Sequence, residues 1–555
     1  MKILLGRGYF PKELPRAFTT SDFGDFSYEI FEEWKSASLF SVKNNNRIHG
    51  KTKSGSYTYK LPDSEAELVS SPKRGFERRD LHITHPIPQT VLTYEIASNW
   101  YKIQKWLTRQ AFSIDKPEIL ASAPRGLPDI NFEAHQSKKA FIQSTSDWLV
   151  RTDITRFYPT IYTHSIAWAA YGKEVVKKSI QLYSGSLADR IDTLVRACNR
   201  NQTVGIPVGP ETSRIIADII SARIDSSFIA SLKQVKSERI DRLQDDWFVG
   251  CSTLEEAELV LSHITAAYRG FGLEINGSKT SIDRVSAVSD QQWVSELGSF
   301  LAHSKGVPAG RRLREFLTLG TRMQVAHPAQ PVTNYLISTI ENSKIAASDT
   351  EVVESFLLRA IALSPVSIPG VCRVLINLQY DNRAVSIKRV SQRVRQLIKR
   401  HASHGNTLEV LWLIYTLRGL SSNIYVSDLE QYVAHPISSA VSLVLLDMES
   451  KGLVTGKLNK RKWADAVDYG ASITTGNWLL SYEGIRHGWL PDPHGLAEKP
   501  FFKPMLDRNV VFYDPKRNVP KTKITVERRR RAKESARWSS LQLIHGLRGF
   551  EFGLY

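Results

Sequence analysis

Residues 148–158, WLVRTDITRFY, decide how the rest of the chain is understood. Trp148 to Ile154 is a short apolar, β-branched run ending in an acid, which predicts a buried strand closing at Asp153. Three further features follow in order. A Gly/Pro turn, VGIPVGPETS, occupies 204–213. Two strand-like runs, ERIDRLQ and DWFVGCS, meet at the pair Asp245-Asp246. LEINGSKTS sets Lys279 behind another strand-like run. Helices are predicted over 88–112, 210–230 and 254–271, the last with Ser252 or Thr253 as its N-cap.

These residue types belong together chemically. Two Mg²⁺ ions about 3.5–4 Å apart activate a 3′-hydroxyl and stabilise leaving pyrophosphate. Mg²⁺ takes hard oxygen ligands and few protein carboxylates, with waters and phosphates completing its shell. Asp153 at a strand end, facing Asp245 and Asp246 on a hairpin tip, supplies them. The carbonyl of Ile154 is a further candidate ligand, and Mn²⁺ an alternative ion. Tyr158, five residues past Asp153, is placed to sit under the sugar of an incoming nucleotide. Gly205, Pro207 and Gly209 allow close backbone approach to a nucleotide or template. Lys279 is a candidate to protonate pyrophosphate or neutralise it. Each piece alone is common; the conjunction in order carries the weight.

The chain has 555 residues, enough for about three or four domains at ~150 residues each. Apolar residues make up 42 % and charged residues 23 %, a globular composition that excludes wholesale disorder. Lys plus Arg number 74 against 56 acids, a net +18, which predicts a polyanionic partner. Cys198, Cys251 and Cys372 are too few and scattered for a disulfide framework, and a reducing cytosol is expected. No stretch reaches the ~18 apolar residues of a membrane span, so no membrane partner is expected. The start, MKILLGRGYFPKELP, is broken by Gly, Arg and Pro and is not read as a signal peptide.

After about residue 320 the character changes. Segments 351–363, 385–402, 406–419, 436–451 and 460–469 read as successive helices between polar or Pro-containing turns, the rhythm of stacked helical pairs without a strict repeat. From Lys516 to Arg537 ten basic residues stand against Glu527 and Glu534. That run is a candidate to track a nucleic-acid backbone or to act as a solubilising segment.

Asp153 in DITRFYP, the GxPxGxxxS of Gly205 to Ser213, and RLQDDWF resemble motifs A, B and C of reverse transcriptases. LEINGSKTS resembles the motif that follows. The wording of RFYPTIYTHSIAWAAYGKE, GIPVGPETSRIIADIISARID, GYFPKELPRAFTTSDF and NWLLSYEGIRHGWL is similar to one branch, the bacterial abortive-infection and defence-associated reverse transcriptases (AbiK-like). Two departures stand out. Leu243 replaces the aromatic usual before the acidic pair, with Gln244 next. Arg156 stands where many reverse transcriptases carry an acid.

The resemblance implies an α+β fold. Fingers and palm with an antiparallel palm sheet span 1–320, followed over 321–555 by an all-α HEAT-like repeat domain with a basic C-terminal segment. It implies a bacterial cytoplasmic enzyme of antiphage defence that transfers nucleotides from dNTPs. Synthesis is expected to be template-independent and primed by a protein hydroxyl, leaving DNA covalently attached, in a homo-trimer or hexamer. Tyr57 and Tyr59, in the polar stretch 44–62, are candidate primers beside the reading that they pack on a fingers hairpin; Tyr513 and Tyr555 are others. The alternatives are a templated reverse transcriptase using a non-coding RNA, and an inactive nucleic-acid-binding scaffold.

Other signals are less specific. Arg78, Arg79, Lys138 and Lys139 lie upstream of Asp153, where fingers hold a triphosphate, or else on a solvated basic face. NWYKIQKW (99–106) combines rings and bases suited to stacking and phosphate contact, or packs as helical core. His82 and His85 form an HxxH that reads as a turn before Pro86, not a metal site. No P-loop and no HExxH is present.

Overall fold

The structure, a computed structural model, describes residues 1–44, 56–73, 75, 77–231, 236–287, 292–302, 307–328, 330–381, 385–429 and 438–517. Most of the polar stretch 44–62, all of the basic run beyond Arg517, and Tyr555 lie outside the described residues.

Strands β1 (Ser41–Asn44) and β2 (Tyr57–Lys60) pair antiparallel, as do β3 (Glu67–Pro72) and β4 (Arg78–Ile83). The helix expected over 88–112 is two helices, Pro86–Ser98 and Trp100–Leu107, broken where the Asn99 side chain turns back onto the Glu95 carbonyl. His85 is the N-cap, its ring accepting from the Ile87 amide at 3.3 Å.

The sheet that carries the candidate site has the order β6-β7-β5-β8, all antiparallel. Its strands are β5 (Trp148–Thr152), β6 (Ile240–Leu243), β7 (Asp246–Cys251) and β8 (Ser281–Arg284). Alternation sends Leu149 and Phe248 to one face, where they meet Ile142 of the helix Phe132–Ser144. Val150, Trp247 and Val249 go to the other. There Trp247 packs 5.3 Å from Phe228 of the long helix Glu211–Ser231, and its indole donates to Tyr268 of the helix Leu254–Arg269. Thr253 caps that last helix, accepting from the Glu256 amide at 3.2 Å. The strand-like run before Lys279 is only an isolated bridge, Ile154 to Ile275, followed by a 3₁₀ turn at Gly277–Lys279; Asn276 and Gly277 end it.

Beyond residue 310 helices succeed one another: Arg311–Ala326, Val332–Glu341, Thr350–Leu363, Ile368–Tyr380, Ile387–Ser403, Thr407–Gly419 and Ser439–Ser450. The helix Ile368–Tyr380 begins inside SPVSIPG (364–370), one of the Pro-containing stretches between the segments expected to be helical, with Pro369 in its first turn, where a missing N–H costs nothing. The expected boundary near 320 falls within Arg311–Ala326. Two short strands, β9 (Ile424–Tyr425) and β10 (Val454–Thr455), pair parallel.

The N-terminal and C-terminal parts share one buried apolar cluster running from Leu4 to Tyr513. The segment 8–23 enters it bodily: Phe10 and Phe23 lie 5.9 Å and 5.3 Å from Phe512, and Phe18 bridges Tyr513. Trp34 donates to the Phe501 carbonyl at 3.1 Å.

Candidate active site

The register that aligns Thr152 with Trp247 brings the residue just after β5, Asp153, level with Asp246 at the start of β7. Two backbone bonds hold Asp153. Its carbonyl accepts from Asn276 at 2.6 Å, and its carboxylate accepts from the Ile154 amide at 2.7 Å. Asn276 also caps the turn that presents Lys279, whose ammonium bonds the Asp153 carboxylate. Thr152 and Thr280 join side chains beneath them at 2.8 Å.

Asp245 and Asp246 sit where β6 turns into β7, with Gln244 left-handed at φ +57°. Arg242 fixes this turn. Its guanidinium forks onto Asp225 at 2.7 and 2.8 Å and donates to the Gln244 carbonyl at 2.6 Å. Asp225 also accepts from the Ala111 amide at 3.0 Å, so the hairpin is tied to the helix Glu211–Ser231 and to the chain after Leu107.

Three carboxylates therefore lie together with one ammonium. Burial, and then the charges of Asp246 and Asp153, hold the Asp245 carboxyl well above the usual range. The Asp153 hydrogen bond and the surrounding acids raise Lys279. Tyr158 is half-buried, and burial with the charges of Asp218 and Asp245 raises its hydroxyl far above normal. Among the described residues no group of three His, Cys, Asp or Glu side chains is already arranged to hold a metal ion. The mutual repulsion of the acids nevertheless marks a place that favours a cation, and Lys279 stands in as one. A hard-oxygen set with few protein ligands is what Mg²⁺ accepts. Asp153, Asp245 and Asp246 would hold it, with Ile154 buried beside them. Bound there, such ions would supply activation of a hydroxyl and neutralisation of phosphate charge.

The Gly/Pro turn packs against the same strand end. Gly205 donates to the Ile161 carbonyl at 2.8 Å and Ile206 to that of Tyr158 at 3.0 Å. Gly209, at φ +135°, leaves no room for a side chain: a Cβ would lie 2.7 Å from Pro11. Pro207 is buried between them. Arg125 clamps the turn, donating to the carbonyls of Phe10 and Gly209 at 2.9 Å and to Glu211 at 2.7 Å.

Other residues singled out in the sequence lie in networks of their own. Tyr57 and Tyr59 donate to the buried carboxylate of Glu95 at 2.5 and 2.7 Å, and Arg190 covers the Tyr57 ring at 3.8 Å. Arg78 forks onto Glu409 at 2.7 and 2.8 Å, and Arg79 pairs with Glu13 at 2.7 Å. Lys138 faces Asp241 and Lys139 lies over the Phe248 ring. In NWYKIQKW, Ile103 and Trp106 are core, while Tyr101 is 71 % exposed with Lys105 over it. His82 exchanges bonds with Val208, and His85 bonds the Ser472 carbonyl. Tyr513 is buried on Asp447.

Residues that sequence reasoning passed over include Arg242, Asp225 and Asp218. Asp218, seven residues before Asp225, is buried and pushed up to about 6 by desolvation. Charged residues embedded in the apolar run IIADIISARID, and the Asp241-Arg242 pair buried on the two faces of β6, were the available signal.

No family model and no curated protein matches the chain. Among solved structures it is similar to apo telomerase from Candida tropicalis, at 10 % identity and a TM-score of 0.30, covering 79 % of this chain and 75 % of that one. A form of that telomerase truncated from its C-terminal domain aligns at 12 % identity and 0.28, covering 49 % and 57 %. Telomerase from Candida albicans in complex with a TWJ fragment of telomeric RNA aligns at 12 % and 0.28, covering 63 % and 66 %. The chain thus spans 75 % of the length of the first of these telomerases and 57 % of the second. At these scores the likeness is loose, and the side-chain geometry carries the functional argument.

Proposed function

We propose that the chain is a nucleotidyltransferase of reverse-transcriptase type, building DNA from dNTPs by two-metal chemistry. The convergence of Asp153, Asp245 and Asp246 on neighbouring strand ends, with Lys279 on Asp153, carries this reading. Tyr158 and the Gly205–Gly209 turn form the wall against which a nucleotide would lie. Lys279 is bound to Asp153 and lies beside the carboxylates that would hold a divalent ion, where its ammonium would neutralise phosphate charge. The antiphage role, the homo-oligomer, and protein-primed synthesis without a template rest on the motif wording. Priming by Tyr57 or Tyr59 requires their bonds to Glu95 to open first.

The test is incubation of the purified protein with Mg²⁺ and labelled dNTPs, without template or primer, run on a denaturing gel before and after proteinase. Label that migrates with the protein and is released by proteinase supports protein-primed synthesis. Product that appears only when RNA and a primer are added supports templated reverse transcription. A folded protein silent under both conditions contradicts the enzyme reading and leaves a binding scaffold.

A further inference from the structure

One guanidinium joins three stretches of chain at the Gly205–Gly209 turn. Nη2 of Arg125 donates to two carbonyls, those of Gly209 in the turn and Phe10 in the N-terminal segment, each at 2.9 Å. Its Nε meets Glu211, the first residue of the following helix, at 2.7 Å. The contact leaves no slack. Pro11 stands where a Cβ on Gly209 would have to go, and a Cβ on Gly8 would lie 2.8 Å from both the Arg125 carbonyl and the Glu211 side chain. The Gly8 carbonyl accepts from the Glu211 amide at 2.7 Å. Segment 8–11 is held in turn from its other side. The Phe10 ring lies 5.9 Å from Phe512 and 6.4 Å from Trp478, and the Tyr9 hydroxyl donates to the Thr84 carbonyl at 2.5 Å.

We infer that Arg125 is a positioning residue for nucleotide binding: it clasps the Gly205–Gly209 turn to segment 8–11, and through that segment residues 478–512 set where the nucleotide wall stands. The inference rests on the nucleotidyltransferase reading above, and adds to it the residue and the part of the chain that hold the wall in place. Arg125 acts through the turn, since its Nε and Nη2 are taken by protein acceptors. The turn needs such a clasp. Gly205 and Gly209 have φ of +91° and +135°, and glycine backbone of this kind has little preference of its own to stay there. A charged donor holds a carbonyl more firmly than a neutral one, and a planar fork fixes direction as well as distance. A lysine at 125 would keep the charge but lack the fork that spans Glu211 on one side and two carbonyls on the other.

The test reads the turn and the nucleotide separately, in the full chain. Hydrogen–deuterium exchange without nucleotide follows 205–211, where the Gly205, Ile206 and Glu211 amides are bonded, with β5 and β7 as the folding control. Arg125→Met and Arg125→Lys should both speed exchange there by about tenfold and leave the strands unchanged. Steady-state incorporation should then show KM for dNTP raised by about tenfold in both, with kcat within about threefold of wild type. The milder Phe10→Leu keeps the backbone carbonyl but loosens the packing on Phe512 and Trp478; it should move both readouts the same way by a smaller factor. Unchanged exchange in Arg125→Met, faster exchange with an unchanged KM, a fall in kcat alone, full rescue by Arg125→Lys, or a Phe10→Leu turn identical to wild type would each overturn the inference. A wild type that incorporates no nucleotide would overturn the nucleotidyltransferase reading and with it the role in nucleotide binding, while the exchange measurement would still decide whether Arg125 holds the turn.

Discussion

Arg242 and Asp225 are both fully buried, and their paired charges decide where the Asp245-Asp246 turn stands. Removing one partner leaves an uncompensated charge in the core. Asp225→Ala should therefore cost about 3–5 kcal/mol in urea unfolding, while Asp225→Leu with Arg242→Met restores most of it. At Gly209, alanine brings both a positive φ and a contact with Pro11; a loss of about 1–3 kcal/mol is expected, read as a lower melting temperature. Asp153, Asp245 and Asp246 were legible from sequence because strand ends and turns mark themselves locally. The partners of Arg78 and Tyr57 were not. Glu409 lies 331 residues from Arg78, and nothing in GFERRDL announces a fork onto a distant helix. The same holds for Glu95, which gathers Tyr57 and Tyr59 from one strand and Arg190 from a distant helix.

At the scale of elements, the hairpin β3–β4 docks on the N-terminus of the helix Ser439–Ser450 through Glu67. Its Oε1 accepts from Ser438 at 2.8 Å and from the Ala440 amide at 3.3 Å, while Oε2 finds no partner among the described residues. Burial pushes this carboxyl from its usual 4.5 up to about 7. The folded protein then holds a proton that the unfolded chain releases above 4.5, so stability falls as pH rises from about 4.5 to 7 and stays lower beyond. The full shift corresponds to an upper bound of about 3 kcal/mol. Wild type should melt lower at pH 8 than at pH 5, and Glu67→Gln should flatten that difference; an unchanged difference would remove Glu67 as its source. The strands at 148–152, 240–243 and 246–251 followed from short apolar, β-branched runs, and the helices Glu211–Ser231 and Leu254–Arg269 from apolar spacing. The break at Asn99 and the helix starting in SPVSIPG did not, because a side chain returning to the backbone and a proline in a first turn depend on local geometry that periodicity does not register.

For the whole molecule, the segment 8–23 and Trp34 are buried against residues 501–513, so the two halves share a core. A fragment ending at residue 326 would expose Phe10, Phe18, Phe23 and Trp34. It should lack a cooperative thermal transition, whereas the full chain should show one; a sharp melt for the fragment would mean the halves fold separately. The helical character after residue 320 was readable from its periodicity. The return of the chain to its own beginning was not, since it pairs positions hundreds of residues apart. The central claim concerns three carboxylates, and labelled-dNTP incorporation tests it most directly. Wild type should be compared with Asp153→Asn, Asp245→Asn, Asp246→Asn and, as a control, Lys139→Gln, each checked for an intact circular-dichroism spectrum. The account predicts incorporation by wild type and by Lys139→Gln, and background signal for the three aspartate variants. Incorporation that persists in a folded aspartate variant would contradict it.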